Sequence, residues 1–200
     1  MRTVLHVGCG RKRRHQTTPV FAAPGWQEIT LDIDPEVLPD GVGTMTDMSS
    51  VADSSIDAVF SSHNIEHLYP HEVPLALGEF LRVLHEDGMA VVTCPDLRSA
   101  CALVAEDHLC DPAYVSPAGP VSPMDILYGH RPALASGQLH MAHRCGFTAS
   151  VLAGTLRQAG FASVAVQPLP RRFELWAVAC KAPTPESVLR NLAAQHFPSQ

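Results

Sequence analysis

Apolar and polar positions follow two rhythms along this chain. Val4–Val7 is a short apolar run that stops at Gly8-Cys9-Gly10, the pattern of a buried strand entering a tight turn. Glu28–Ile33 predicts a second strand ending at Asp32-Ile33-Asp34-Pro35, and a weak third is expected near Val42–Met45. Residues 55–62, SIDAVFSS, predict a fourth strand, apolar enough to be buried on both faces. The period then changes. Over 71–85, Val73, Leu77, Leu81 and Leu84 share one helical face, broadened by Ala76, Phe80 and Val83. Asp87-Gly88 ends that helix, and MAVVTCP (89–95) predicts a fifth strand. Thr148–Ala159 reads as another helix, stopped by Gly160 in the C-cap position. SVAVQPL and FELWAVACK, joined by Pro170-Arg171-Arg172, predict an antiparallel pair, and 185–196 a terminal helix. Strands alternating with helices at this spacing argue for βαβ units and a parallel sheet.

Periodicity fades from about 98 to 145. One helix (98–107) is expected there, followed by the Pro/Gly-rich stretch DPAYVSPAGPVSP. A segment this irregular inside a compact domain reads as an inserted lid or substrate-binding segment. The length of 200 residues fits one domain, 1–200, carrying that insertion.

Composition narrows the class. At 46% hydrophobic and 17% charged residues the chain reads as a soluble globular enzyme. A formal charge of −6 and a pI of about 6.0 argue against a nucleic-acid footprint. The one basic cluster, Arg11–Lys12–Arg13–Arg14, reads as a solvated loop, or as a site for a phosphate or carboxylate on a substrate. The six cysteines form no C-x-x-C pair and read as small buried or half-buried residues of a reducing compartment. With no signal pattern and no apolar run near the roughly 18 residues of a span, the expectation is a cytoplasmic protein off the membrane.

The chemistry gathers at strand ends. A glycine turn after the first strand lets the backbone approach a ligand closely, and a carboxylate after the second can accept both hydroxyls of a ribose. Gly8-x-Gly10 and Asp32 stand about 24 residues apart, which suits that logic. Asp47-Met48 follows the weak third strand. Residues 63–67 read H-x-x-E-H, a pattern with which inverted zinc peptidases bind metal. Such a site needs the motif in mid-helix and a third ligand. Here it follows a buried strand, and Pro70 lies three residues beyond, so no metal is assigned and the motif reads as the rim of a cleft.

Together VLHVGCG, EITLDIDP, TDMSSV, SIDAVFSSHNIEH, ALGEFLRVLHEDGMAVVTCPDL and AGF resemble the class I S-adenosylmethionine-dependent methyltransferases, close to the broad type 11 group. The resemblance covers about 4–97 and 147–181. It implies an α/β, Rossmann-like, doubly wound fold, a mostly parallel seven-stranded sheet with an antiparallel C-terminal strand. It also implies methyl transfer from S-adenosylmethionine, leaving S-adenosylhomocysteine, to a small-molecule acceptor. Carried over, Gly8, Cys9 and Gly10 would lie against the methionine part of the cofactor, and Asp32 would hold the ribose with Ile33 against adenine. Asp47 would accept from the adenine amino group, Met48 would pack on the ring, and Ser62 and His63 would face the sulfonium. The chain departs from the family pattern in having His6 where an acid is common and Lys12 at the third alternate glycine. It also begins at the first strand, so cover over the cofactor is expected from 98–145.

For catalysis the candidates are His63, His140 and His143; the last two, in GQLHMAHRCGF, read as a general base or as helix-capping residues. A homodimer is compatible with this reading, with 98–145 as either lid or dimer interface. A degenerate partner subunit and a nicotinamide-dependent oxidoreductase stand as alternatives. The latter is disfavoured because Arg13 occupies the last position of G-x-G-x-x-G.

Overall fold

The computed structural model describes residues 1–198. Seven strands make one sheet: β1 Arg2–Val7, β2 Trp26–Asp32, β3 Gly41–Val42, β4 Ile56–Ser62, β5 Leu84–Pro95, and, after a separate small hairpin (β6 Tyr114–Ser116, β7 Gly119–Val121), β8 Ser163–Leu169 and β9 Glu174–Cys180. Their order is β3-β2-β1-β4-β5-β9-β8. All run parallel except β9, which is antiparallel to both its neighbours. The expected architecture is the one observed.

Strand order reverses between β1 and β4, and crevices at such switch points lie beyond the carboxyl ends of the strands. The register sets what gathers there. Val7 pairs with Leu31 on one side and Ser61 on the other, so Gly8, Asp32 and Ser62 leave the sheet at one level.

The central strands are buried on both faces, which is why they read as continuous apolar runs rather than alternations. On one face Leu5, Val7, Val59 and Val92 pack against two helices, α2 (Val73–Val83) and α6 (Ala149–Ala159). Helix α2 buries Val73, Ala76, Leu77, Phe80 and Val83, the spacing of a single helical stripe. Gly160 stops α6 at φ +117°, in the left-handed region that favours glycine. On the other face Val4, Ala58, Phe60 and Val91 meet α1 (Pro19–Ala22) and α7 (Glu186–His196). Phe21 is fully buried there beside Trp26, Phe60 and His196. Burying a side chain of that kind stabilises the fold by about 1.5–3 kcal/mol.

Three local expectations change. The helix expected over 71–85 stops at Val83, because Leu84 already pairs with Ile56 before the register shifts into Met89↔Ala58. The third strand shrinks to two residues. Two of the cysteines, Cys101 and Cys110, are exposed rather than buried or half-buried. Residues 97–141 hold more structure than their pattern suggested: α3 (Leu97–Ala105), the β6–β7 hairpin, α4 (Pro123–Tyr128), α5 (Arg131–Ala135) and a 3-10 turn at Leu139–Met141. After α3 these pieces run three to six residues, too short to print a period. Asp125 holds them together. It accepts from the Arg131 Nε at 2.7 Å and the Ser122 hydroxyl at 2.7 Å, and these donors hold its carboxyl below the usual range against the opposing effect of burial.

Candidate cofactor and acceptor site

Beyond β1 the chain turns through Gly8 (φ +64°) and Gly10 (φ +52°). Gly8 has a second reason to be glycine: a Cβ there would sit 2.3 Å from the Asn64 side chain. The Asn64 amide donates to the carbonyls of Val7 and Ser62, both at 3.1 Å, tying the ends of β1 and β4 together. An added Cβ on Gly10 meets nothing within 4 Å, so that side of the turn is open. Asp32, largely buried, accepts from the Gly10 N–H at 2.7 Å and the Asp34 N–H at 2.9 Å.

These residues border a cavity of about 540 Å³, within the ordinary range of roughly 300–1,000 Å³ for ligand sites. Gly8, Cys9, Gly10, Asp32, Ile33, Ser62, His63 and His140 all line it. Asp47 and Met48 do not. Met48 is fully buried, its N–H bonded to Glu79 Oε2, and Asp47 is exposed, capping its own turn through Ser49. From that segment Gly43, Thr44 and Met45 face the cavity instead. Burial pushes the Cys9 thiol up to about 11, so it stays protonated and inert at neutral pH.

The basic run divides by role. Arg13 and Arg14 are committed to backbone carbonyls, those of Gly10, Lys12 and Val37 and of Phe21, Ala22 and Ala23 respectively. Arg11 and Lys12 line the cavity. His6, where the family pattern often has an acid, is buried and hydrogen-bonded at 2.9 Å to Glu28 of the neighbouring strand. The carboxylate is thus supplied from β2 rather than β1.

A second cavity of about 230 Å³ adjoins the first, with Tyr114, Ile126, His130, His143 and Phe173 in its wall. His63, His67 and Met141 line both cavities. His63 adopts φ +57°, an uncommon backbone for a side chain of this size, and its N–H bonds to the Thr93 carbonyl at 2.9 Å. Its ring stands 3.4 Å from Glu174 Oε1 and 3.4 Å from Glu66 Oε1. Burial acts to lower its pKa, but the two carboxylates outweigh it and push the imidazole up to about 9. His63 is therefore a cationic donor at neutral pH, not a proton acceptor. His143 differs: burial lowers its pKa, so it stays neutral and able to accept.

Asn64 and Glu174 are site residues that pattern reading did not single out, and Glu66 and His67 were read only as part of the cleft rim. Glu66 is 1% exposed, and neither carboxylate oxygen has a hydrogen-bond partner. Burial acts to raise its pKa; His63, His67 and His143 around it bring it below the usual value. The H-x-x-E-H string was the signal for Glu66 and His67. Nothing local marked Glu174, 111 residues from the histidine it faces.

The sheet order and the glycine–carboxylate cleft at its switch point define the class I methyltransferase fold. Residues 5–92 match the family model described as a methyltransferase domain (Methyltransf_11). No curated protein matches it. Among solved structures it is similar to a 1,6-didemethyltoxoflavin N1-methyltransferase from Burkholderia thailandensis, solved with that compound and S-adenosylhomocysteine bound, at 18% identity and a TM-score of 0.57, covering 90% of this chain and 70% of that one. A methyltransferase from Methanosarcina mazei aligns at 17% identity and a TM-score of 0.60, over 91% of this chain and 93% of that one. The C-methyltransferase domain of the citrinin polyketide synthase aligns at 12% identity and a TM-score of 0.59, over 92% of this chain but only 47% of that one. Likeness at these identities is likeness of fold. Among the described residues no helix is long and apolar enough to cross a membrane.

Proposed function

We propose that the protein methylates a small molecule held in the smaller cavity, using S-adenosylmethionine held in the larger. The observation that carries this is the shared wall of His63, His67 and Met141, which makes the two cavities neighbours. The cofactor supplies an electrophilic methyl group on a sulfonium. The protein's tasks are to align the acceptor and exclude water. Asp32 accepts from the ribose hydroxyls, Gly8, Cys9 and Gly10 lie along the methionine part, and Ile33 covers adenine. Thr44 and Met45 take the place at the adenine edge that Asp47 and Met48 were expected to hold. Ser62 and His63 stand where the methyl group crosses, and His143 is the neutral imidazole for an acceptor that must lose a proton.

Residues 98–145 serve as the cover: Gln138, His140, Met141 and Arg144 face the larger cavity from that side. The acceptor volume suits a compact molecule, and the toxoflavin-precursor methyltransferase supports a small acceptor on this fold. Calorimetry with S-adenosylmethionine, set against fluorescence titration with NADH, tests the cofactor. Saturable binding of the first alone is expected, and binding of NADH in its place would sink the reading. For the acceptor, formation of S-adenosylhomocysteine is assayed with small acceptors. His63→Ala is expected to lower turnover, and unchanged kinetics in that variant would remove His63 from the crossing point.

A further inference from the structure

We propose that Glu66, His67 and His143 form a binding site for one divalent metal ion of the zinc type, at the wall between the two cavities. One ligand atom from each of the three lies within 4.8 Å of the others. Ligands about 2.0–2.2 Å from a zinc ion stand at most about 4.4 Å apart, so a small side-chain movement closes the set.

Each ring has one nitrogen anchored. His67 Nδ1 lies 3.1 Å from the Ala142 carbonyl and His143 Nδ1 lies 2.8 Å from the Ile126 carbonyl. A carbonyl only accepts, so Nδ1 is the donor in both rings, which leaves Nε2 as the nitrogen that can bind a metal. Anchoring of the second ring nitrogen by a backbone carbonyl is what metal-binding histidines ordinarily show. The third ligand is a carboxylate that is 1% exposed, with no hydrogen bond to either oxygen and one ion contact, to His63 at 3.4 Å from Oε1. A buried anion of that kind requires a counter-charge.

The backbone holds the three in place before any ion arrives. The Glu66 carbonyl accepts from the N–H groups of Arg144 at 2.8 Å and Cys145 at 3.2 Å, and Arg144 Nη1 donates to the His67 carbonyl at 2.8 Å. The set is thus not the His63/His67 pair suggested by H-x-x-E-H. Residues 65–67 form a 3-10 turn and His63 sits in a left-handed conformation, so those two histidines do not share a helical face. Two imidazoles and one carboxylate suit zinc or cobalt and leave coordination positions open. All three residues line the smaller cavity, so water or an acceptor oxygen would complete the shell there. With the ion bound, His143 is a ligand and the metal takes over its role of activating the acceptor. The competing account is that His63 alone neutralises Glu66.

The test is cobalt(II) titration of chelator-treated protein, read by visible ligand-field absorption, with zinc displacing it in calorimetry. One ion per chain is expected. Glu66→Gln and His143→Ala should each weaken it by more than about 100-fold, beyond the 10–100-fold of an outer partner. His71→Ala, at an exposed histidine outside the cluster, should retain it. No stoichiometric cobalt spectrum, or one unchanged in both cluster variants, overturns the site in favour of the His63–Glu66 pair or surface histidines. If Glu66→Gln does not fold, His67→Ala and His143→Ala decide between the same outcomes. Calorimetry with S-adenosylmethionine on metal-free protein reads the methyltransferase assignment separately, so the two can fail independently.

Discussion

The Asp32 carboxylate accepts a hydrogen bond from the backbone N–H of Gly10 at 2.7 Å, joining the ends of β1 and β2 across 22 residues of chain. One side chain therefore both shapes the glycine turn and faces the cavity. Hydrogen bonds to a charged group contribute about 1.5–3 kcal/mol. Asp32→Ala is expected to weaken S-adenosylmethionine binding by about 10–100-fold, since about 1.4 kcal/mol is tenfold. Calorimetry reads this directly, and an unchanged affinity would refute the ribose assignment.

Gly8 and Asn64 compete for the same space. Gly8→Ala would meet Asn64 at 2.3 Å and also force a side chain into φ +64°. The left-handed backbone alone costs about 1–2 kcal/mol. Asn64→Ala removes the clash but also the ties to Val7 and Ser62. The double variant should be more stable than the sum of the single effects by about 1 kcal/mol or more, a coupling that denaturant unfolding of all four proteins measures. Strict additivity would show that the two do not meet.

Acid should weaken the fold through His196. It is buried against Phe21, with Nδ1 on the Thr18 hydroxyl and Nε2 unpartnered. Burial, reinforced by Arg2, pushes its pKa down to about 4. Between an unfolded value of about 6.5 and about 4, the unfolded chain binds a proton that the native one refuses. Stability from this group is thus complete above about pH 6.5 and lost as pH falls through the window, by up to about 3 kcal/mol. Urea denaturation at several pH values should show a shallower decline in His196→Gln than in the parent.

Breaking the Asp125–Arg131 anchor should loosen the insertion and leave the sheet intact. Asp125 is buried and collects the donors of Ser122 and Arg131. Asp125→Ala should cost about 1–3 kcal/mol of local stability, because it leaves the Ser122 donors unpaired while the half-exposed Arg131 stays solvated. Hydrogen exchange is expected to speed up over 111–131, while β1, β4 and β5 keep their protection. Uniform acceleration through the sheet would mean the insertion is not a separate layer.

Local chemistry made much of this legible from the chain alone. Val4–Val7 running into Gly8-x-Gly10, the acid at Asp32 and the stripe Val73–Leu77–Phe80 each depend on neighbours within a turn or a strand. The doubly wound sheet was implied by the resemblance those stretches carry, while its strand order comes from the structure. The insertion escaped because its elements are too short for a period, and Asp47-Met48 misled because a turn of two or three residues decides which way a side chain faces.

Contacts between distant segments were decided only by the tertiary structure. The sequence placed Glu66 and His67 beside His63 in a familiar spacing, and put His143 in a separate cluster of its own. A 3-10 turn in place of a helix, and two backbone bonds to the Glu66 carbonyl, regrouped them around one buried carboxylate. In the same way His6 found its acid on β2 because parallel pairing lays His6 against Thr30, two residues from Glu28. Spacing along a chain records what a helix or strand would bring together. Only the packed backbone determines which element the residues occupy, and so which charges have to meet.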